Sequence, residues 1–282
     1  MMAQTTLCGE IFMSGVALHS GDQVSVTLAP APVNHGIVFV SKGLHIEAQV
    51  GRVVDTQLAT TLGRDGVNIR TVEHLLSTLM GLGVDNVRIE VDGSELPALD
   101  GCGAAWVQAI KAVGVEQQSV PKTILEMLRP VEVVEGNRWA RIEPCEALSL
   151  DVMIDFEHPH VGRQHMTLDL EQGCFESELA WARTFGFERH VPAMRRMGLV
   201  RGGNLDNALV FGETGPLNPG GLRRFDEPVR HKMLDVLGDL ALLGSAVQGR
   251  VIAERPGHGL IVRLIREVVA QTDSWRIHKD PA

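Results

Sequence analysis

Residues 230–239 carry the pattern with the narrowest structural meaning in this chain. They place a histidine and two carboxylates, His231, Asp235 and Asp239, at positions i, i+4 and i+8. Residues four apart lie on one face of an α-helix, so a neutral imidazole and a carboxylate in this arrangement can bind one divalent cation. The segment therefore predicts a helix that supplies two ligands of a metal site.

A histidine and an aspartate four residues apart also occur on many solvated helices, where the pair merely supports the helix. The apolar neighbours of this pair argue for burial instead. They form one stripe of helical period: Val229, Met233, Val236, Leu237, Leu240 and Leu243. Carboxylates are rarely buried unless they are paired or bind a metal. The stripe therefore favours a metal site over a surface helix.

A second histidine with an adjacent carboxylate, Glu73-His74, lies far upstream. Adjacent helical residues point about 100° apart, so His74 can bind the metal while Glu73 reaches a water in the fourth position. Two histidines and an aspartate with one open position are typical of a hydrolytic zinc site. A single Glu-His pair is common by chance, and it gains weight here because His231 and Asp235 need a third ligand.

Three further polar residues accompany this pattern. Asp239 either orients a histidine from behind or ends the polar stripe. His258 lies in a Pro-Gly-His-Gly segment, where it is either a surface histidine or a general acid and oxyanion partner. Lys232, beside His231, either contacts a phosphate or oxyanion or is an ordinary surface lysine.

Bulk properties exclude several classes of protein. The 282 residues suit one large or two modest domains, and the formal net charge of −9 argues against nucleic-acid binding. Four scattered cysteines without a CxxC motif indicate reduced thiols rather than disulfides or a cysteine zinc site. We find no signal-peptide pattern and no apolar run of membrane-spanning length. We therefore expect a cytoplasmic protein without stable membrane insertion.

The pattern of elements predicts two α+β domains, residues 1–121 and 122–282. In the first, strands are expected at residues 23–28, 36–40 and 86–91 and helices at 71–81 and 103–113. Thr71 is the expected N-cap of the first helix. The polar stretch 115–122 ends at Pro121, and we place the domain boundary there.

The second domain repeats this alternation. Strands are expected at residues 131–134, 139–142, 148–154 and 249–253, and helices at 176–182, from 226 onward, and at 260–270. Asp226 is the expected N-cap of the long helix, with Pro228 in its first turn. Residues 184–210 predict an insert of strand, helix, glycine-rich turn and strand. Each half thus has a helix with potential metal ligands, which ends at one or more glycines and is followed by a strand. This order suggests two similar domains that face each other across a cleft.

Six ordered motifs make the chain similar to a known family. They are residues 15–21 (GVALHSG), 71–75 (TVEHL), 95–101 (ELPALDG), 183–187 (RTFGF), 229–239 (VRHKMLDVLGD) and 257–258 (GH). Together they resemble the UDP-3-O-acyl-N-acetylglucosamine deacetylases, zinc enzymes of lipid A biosynthesis, over almost the whole chain. The resemblance implies two β-α-α-β domains packed as layers, with the helices sandwiched between the sheets. It also implies a β-α-β insert in the second domain that holds the acyl chain.

The resemblance also assigns site residues. It makes His74, His231 and Asp235 the zinc ligands, Glu73 the general base, and His258, backed by Asp239, the general acid or oxyanion partner. Thr184 and Lys232 would contact the tetrahedral intermediate or the substrate. Phe156 and Asp155 would contact uracil, and Arg138 and Arg255 the diphosphate. The expected contacts of the glucosamine and acyl chain are Phe185, Phe187, Val191, Met194, Val200, Gly203, Ala208 and Val210.

Three positions depart from the family pattern. Ala17 stands where a glycine is usual, and Ala59 replaces a residue that is cysteine in some relatives. Glu188 is charged near the expected acyl passage, where an apolar side chain is typical. The departure at Glu188 concerns the mouth of the passage rather than the metal chemistry.

The sequence thus predicts a monomeric, zinc-dependent amide hydrolase with one Zn²⁺ per chain, a site that Fe²⁺ also fits. The family resemblance supplies the expected substrate, UDP-3-O-(3-hydroxyacyl)-N-acetylglucosamine, a small UDP-sugar lipid. Two alternatives stay open at this point: a zinc hydrolase of another nucleotide sugar or acyl amide, and a noncatalytic nucleotide-sugar or lipid-binding module with a structural metal. Structural zinc sites are closed by four protein ligands, often cysteines, so three His/Asp ligands beside a spare glutamate favour catalysis.

Overall fold

A computed structural model describes residues 3–171 and 173–279 of the chain. These residues form a mixed α+β fold with several sheets and few helices, as the sequence predicts. Among the described residues, no helix combines the length and the apolar composition that crossing a membrane requires.

The first half contains a five-stranded sheet with the order β2-β3-β9-β4-β5. Its strands are β2 (Ile11–Val16), β3 (Gln23–Pro30), β4 (Ile37–Ser41), β5 (Leu44–Glu47) and β9 (Val87–Asp92). In β3, Val24, Val26 and Leu28 are buried and alternate with more exposed residues, so one face of the strand packs on the core. A smaller sheet follows the order β6 (Val53–Asp55), β7 (Thr61–Arg64) and β8 (Val67–Arg70).

The polar stretch at the expected boundary is itself a strand. Strand β1 (Ala3–Leu7) pairs antiparallel with β10 (Val115–Pro121), and Leu7 lies opposite Val115. Neither strand shows a strong apolar alternation, because the ribbon they form is only partly buried. The sequence therefore did not indicate this pairing.

The second half contains a seven-stranded sheet centred on β19 (Ala246–Glu254). The remaining strands are β11 (Thr123–Met127), β12 (Val131–Glu135), β13 (Arg138–Glu143), β14 (Leu148–Phe156), β15 (Gly162–Asp169) and β20 (Trp275–Lys279). Strand β19 runs parallel to β11 and β14 and antiparallel to β13. The expected strands at 131–134, 139–142, 148–154 and 249–253 are confirmed.

The segment predicted as a β-α-β insert has that order of elements. Strand β16 (Phe185–Phe187) pairs parallel with β17 (Leu209–Gly212), and helix α3 (Val191–Arg196) lies between them in the chain. The short strand β18 (Gly215–Pro216) completes this sheet. Residues 176–182, predicted as a helix, instead form a single π-helical turn at Phe175–Leu179.

Four longer helices lie beside the sheets: α1 (Glu73–Gly81), α2 (Ala104–Val113), α4 (Glu227–Leu240) and α5 (His258–Ala270). Neither expected N-cap makes a capping hydrogen bond. Helix α1 begins at Glu73, and Val72 rather than Thr71 precedes it, because Thr71 has a φ of +59° and its hydroxyl donates to Glu95 instead. Asp226 precedes α4 but forms an ion pair with Arg230, at 2.7 Å.

Helices α1 and α4 pack directly against each other, and the approach is close at Gly238. A Cβ atom added to Gly238 would lie 2.2 Å from the main-chain oxygen of Glu73 and 3.0 Å from its Cα. Only glycine fits this contact without a shift of one helix. Gly238, in the last turn of α4, thus sets how closely the first turn of α1 approaches this helix, and the two helices carry the predicted metal ligands.

We predict that G238A destabilises the protein by about 1–3 kcal/mol, the usual cost of overpacking, although alanine is the better helix former. Urea unfolding measures this change. Gly51, whose added Cβ would meet nothing within 4 Å, supplies the control. An equal free energy of unfolding for G238A, G51A and the unaltered chain would show that the two helices can move apart enough to accept a Cβ atom without loss of stability.

Candidate metal centre

The three predicted ligands lie together. His74 is the second residue of α1, and His231 and Asp235 lie one turn apart on α4. The Nε2 atoms of His74 and His231 are 3.7 and 3.3 Å from Oδ1 of Asp235. One potential ligand atom from each of these three side chains lies within 4.8 Å of the other two, and among the described residues this is the group of three or more His, Cys, Asp or Glu side chains that could hold a metal ion. The helix pattern and the distant Glu-His pair thus converge on one point.

The protonation and the hydrogen bonding of these donor atoms are suited to binding a divalent cation. Oδ1 of Asp235 is buried and has no hydrogen-bond partner among the described residues. An acceptor left in this state costs free energy unless something else binds it. Burial lowers the pKa of His74 to about 3 and also lowers the pKa of His231, so both imidazoles are neutral and offer a lone pair. Two nitrogens, one oxygen and an open position match a catalytic zinc site.

Asp235 stays ionised in this buried place. Burial alone would raise the pKa of Asp235, but His231 and Lys232 outweigh burial and hold this pKa below its usual range. Nζ of Lys232 is 2.5 Å from Oδ2, which leaves Oδ1 free to face the two histidines. The same pairing raises the pKa of Lys232 against the effect of burial. Lys232 is therefore a largely buried, charged group beside Asp235, and its predicted contact with an oxyanion or phosphate stays a prediction.

A main-chain carbonyl orients His231. Nδ1 of His231 is 3.0 Å from the oxygen of Ala182. A carbonyl oxygen only accepts hydrogen bonds, so Nδ1 carries the proton and Nε2 presents its lone pair toward Asp235 and His74.

A buried ion pair holds the segment that contains this carbonyl. Arg183 donates to Glu227 from Nε and Nη2, at 2.8 and 3.1 Å, and Glu227 is fully buried. Glu227 also accepts the main-chain N–H of Arg183. The first turn of α4 thereby fixes residues 182–184, including Thr184. The sequence interpretation missed Glu227, although it lies four residues before His231 on the same helix face.

A second cluster of polar side chains adjoins the ligands. Oε1 of Glu73 is 3.7 Å from Nε2 of His258, and Nδ1 of His258 is 2.8 Å from Oδ2 of Asp239. Thr60 connects the two carboxylates of this cluster, because its N–H donates to Glu73 at 3.0 Å and its hydroxyl donates to Asp239 at 2.6 Å. The structure thus brings Glu73, His258 and Asp239 together, as predicted. Thr60 was missed because no local pattern marks a residue 179 positions from its partner.

Glu73 and His258 have pKa values shifted in the direction that acid–base chemistry needs. Burial raises the pKa of Glu73 to about 7. Burial alone would lower the pKa of His258, but the charges of Asp239 and Glu73 raise it to about 9. Between these values Glu73 is a carboxylate that can accept a proton and His258 is an imidazolium that can donate one.

Thr184, the remaining predicted catalytic residue, is half-buried between the two halves of the chain. Its N–H donates to the oxygen of Gly101 at 2.7 Å, and its own carbonyl accepts from Leu209 at 2.8 Å. The main chain of Thr184 is therefore held on both sides. It lies two residues beyond Ala182, whose oxygen accepts from the ligand His231.

Aromatic side chains line the approach to His231. Phe156 packs edge-on against Phe185 with ring centroids 5.3 Å apart, and Phe187 lies 5.6 Å from Phe156. The ring of Phe185 is 6.3 Å from the imidazole of His231. Phe211 joins the same cluster. The predicted substrate contacts Phe156, Phe185 and Phe187 thus form one continuous surface with the ligands.

The residues expected near a diphosphate lie at the ends of neighbouring strands. Arg255 pairs with Asp155 at 2.6 Å and has a φ of +52°, three residues before His258. Arg138 pairs with Glu135, and its Nη1 is 3.8 Å from the position of a Cβ on Gly257. Both arginines therefore lie beside the segment that leads into His258.

Six of the residues expected to contact the glucosamine or the acyl chain are partly exposed. Six residues of the insert are half-buried: Val191, Met194, Val200, Gly203, Ala208 and Val210. Their neighbours Leu199 and Leu209 are buried and form the base of the insert. Glu188 is exposed, and its Oε2 lies 3.3 Å from the position of a Cβ on Gly212. The insert thus presents apolar surface together with two exposed carboxylates, Glu188 and Asp206.

Comparison with known proteins gives one family. The sequence model described as UDP-3-O-acyl N-acetylglycosamine deacetylase matches residues 4–270. A protein of Myxococcus xanthus (strain DK1622) named UDP-3-O-acyl-N-acetylglucosamine deacetylase is 46% identical over 278 residues, which cover 97% of this chain and 88% of that protein. Proteins with the same name from Acidithiobacillus ferrooxidans (strain ATCC 53993 / BNL-5-31) and Shewanella loihica (strain ATCC BAA-1088 / PV-4) are 44% and 42% identical. Each of these alignments covers 98% of this chain, and they cover 92% and 93% of the two relatives. The chain belongs to the UDP-3-O-acyl N-acetylglycosamine deacetylase family.

Proposed function

We propose that this protein hydrolyses the acetamide of UDP-3-O-(3-hydroxyacyl)-N-acetylglucosamine. The products are UDP-3-O-acyl-glucosamine and acetate, and the reaction is the committed step of lipid A biosynthesis. The observation that carries the proposal is the buried His74–His231–Asp235 group beside the oppositely protonated pair Glu73 and His258. The names of the relatives supply the substrate.

His74, His231 and Asp235 would hold one Zn²⁺ per chain, and Fe²⁺ accepts the same nitrogen and oxygen ligands. When bound, such a cation polarises the acetamide carbonyl and lowers the pKa of water. The neutral imidazoles and the ionised Asp235 are the protonation states that cation binding requires.

The protein's own groups move the protons. Glu73, positioned by the N–H of Thr60, accepts the proton of the attacking water. His258, held by Asp239, donates to the developing oxyanion or to the amine, which leaves protonated as the carbon–nitrogen bond breaks. Lys232 and Thr184 stabilise the negative charge of the tetrahedral intermediate. Acetate and the free amine are then released.

Substrate binding is assigned to the surfaces around this centre. Phe156 and Asp155 contact uracil, and Arg138 and Arg255 neutralise the diphosphate. The aromatic surface and the insert accommodate the glucosamine and the acyl chain. The acyl contacts are Phe185, Phe187, Val191, Met194, Val200, Gly203, Ala208 and Val210. All of them except the buried Phe187 are partly exposed, which supports this assignment because a partly exposed side chain can contact a ligand without a rearrangement.

We further propose two similar β-α-α-β domains, residues 1–121 and 122–282, with their helices sandwiched between the sheets. The packing of α1 on α4 and of α5 on β12 and β13 supports this layering. Four free cysteines support a cytoplasmic, reducing location. We propose that the protein is a monomer whose partner is its small-molecule substrate.

The first prediction from this function separates a ligand from a base. H231A should lose bound zinc and activity together. E73A should keep zinc but lose activity by roughly a hundredfold or more, the usual scale for a general base. Metal analysis and acetate release measure both, and exposed His45 gives the control H45A. Stoichiometric zinc in H231A, or near-normal turnover of E73A, contradicts the assignment.

The second prediction concerns pH. The active form needs Glu73 deprotonated, so kcat/KM should rise with pH through the pKa of about 7. It needs His258 protonated, so kcat/KM should fall as pH rises through about 9. A bound cation shifts both limbs to lower pH, because its charge stabilises a carboxylate and disfavours an imidazolium. D239N removes the charge that raises the pKa of His258, so its alkaline limb should move to lower pH. An unmoved limb would assign that limb to another group.

The third prediction concerns the acyl chain. M194A should lower kcat/KM for the acylated substrate by up to about 30-fold, since about 2 kcal/mol of apolar contact is lost at about 0.8 kcal/mol per methylene. It should leave zinc content unchanged and matter far less for a substrate without the 3-O-acyl group. V134A, at an exposed valine on β12, is the control. Equal losses on both substrates would place the acyl chain elsewhere.

A further inference from the structure

Positive charge is concentrated on one segment of an acidic protein. The chain has a formal net charge of −9, yet residues 189–201 contain four arginines and no carboxylate. The four are Arg189, Arg195, Arg196 and Arg201, and all are exposed. We call these four residues and Met197 the arginine surface. The flanking carboxylates, Glu188 and Asp206, lie outside the segment.

These arginines differ from others nearby in their contacts. Arg223, Arg224 and Arg230 each lie within 3.5 Å of a carboxylate. Arg189 and Arg195 instead donate to main-chain carbonyls, and in the described part of the chain none of the four is within 4.0 Å of a carboxylate oxygen. Their charge is therefore not neutralised within the molecule. It is available to an external anion.

The arginine surface also exposes apolar atoms. Met197, between Arg196 and Arg201 in the chain, is 59% exposed, and Leu205 is 40% exposed. Helix α3 has no buried residue, so it stands outside the core. An ordinary solvated face mixes both charge signs and carries few large apolar side chains. Arginines around projecting apolar side chains are typical of surfaces that rest in the headgroup region of a bilayer.

We propose that the arginine surface docks on a bilayer that contains anionic lipids. The rest of the chain is repelled by such a bilayer because its net charge is negative, so the protein approaches with the insert first. The contact is peripheral. A consequence that rests on the proposed function is that Val191, Met194 and Val200, which share this segment, bring the acyl passage next to the membrane surface.

Vesicle cosedimentation without substrate tests this proposal independently of catalysis. The zinc-loaded protein should bind vesicles of phosphatidylethanolamine and phosphatidylglycerol and should not bind phosphatidylcholine vesicles. Each arginine near an anionic surface contributes about fivefold in affinity, so R195Q/R196Q should bind roughly 25-fold more weakly. Added salt should weaken binding of the unaltered protein. M197S should also weaken binding, but with little change in the salt dependence.

A matched control removes the same charge elsewhere. Lys42 and Arg263 are exposed and lie outside the insert, so K42Q/R263Q should bind the anionic vesicles as the unaltered protein does. Unchanged zinc content and acetate release in R195Q/R196Q establish that this variant is folded. Absence of binding to anionic vesicles overturns the proposal and leaves the arginines to an acidic protein partner. Equal losses in the two double variants also overturn it, because net charge alone would then explain binding.

Discussion

The contact between Gly238 and the main chain of Glu73 determines how the two halves of this protein cooperate. It brings the first turn of α1, which carries Glu73 and His74, against the face of α4 that carries His231, Asp235 and Asp239. Neither helix alone holds three ligands. The proposed metal centre therefore requires that the two helices pack together, and the absence of a Cβ atom at Gly238 lets them approach closely enough.

Close packing also places compensating partners beside the charged groups of this interior. Asp235 and Asp239 are each more than nine-tenths buried, and each is compensated by a different partner. Lys232 donates to Asp235, whereas His258 and Thr60 donate to Asp239. Glu73 accepts the N–H of Thr60 and lies 3.7 Å from the imidazole of His258, but burial outweighs the favourable contacts, so its pKa rises. The pKa values of Asp235 and Glu73 are thus shifted in opposite directions within one cluster.

Local sequence patterns predicted the part of the site that depends on helical spacing. The relation between His231, Asp235 and Asp239 is set by one helix, and the apolar stripe of α4 indicated its burial. Contacts between segments that are distant in the chain are not marked by any local sequence pattern. Thr60 and the pairing of β1 with β10 depend on tertiary packing, and the left-handed φ of Thr71 overrode its preference for an N-cap. The family resemblance supplied the roles of Thr184 and the aromatic residues, which spacing could not give.

The central claim is that His74, His231 and Asp235 form one catalytic metal centre with an open position. X-ray absorption at the zinc edge of the purified protein tests it directly. The account predicts nitrogen and oxygen scatterers only, at about 2.0–2.2 Å, including two imidazoles. It also predicts that this set is completed by an exchangeable oxygen. A sulfur scatterer at about 2.3 Å would contradict the account, because none of the three predicted ligands is a cysteine.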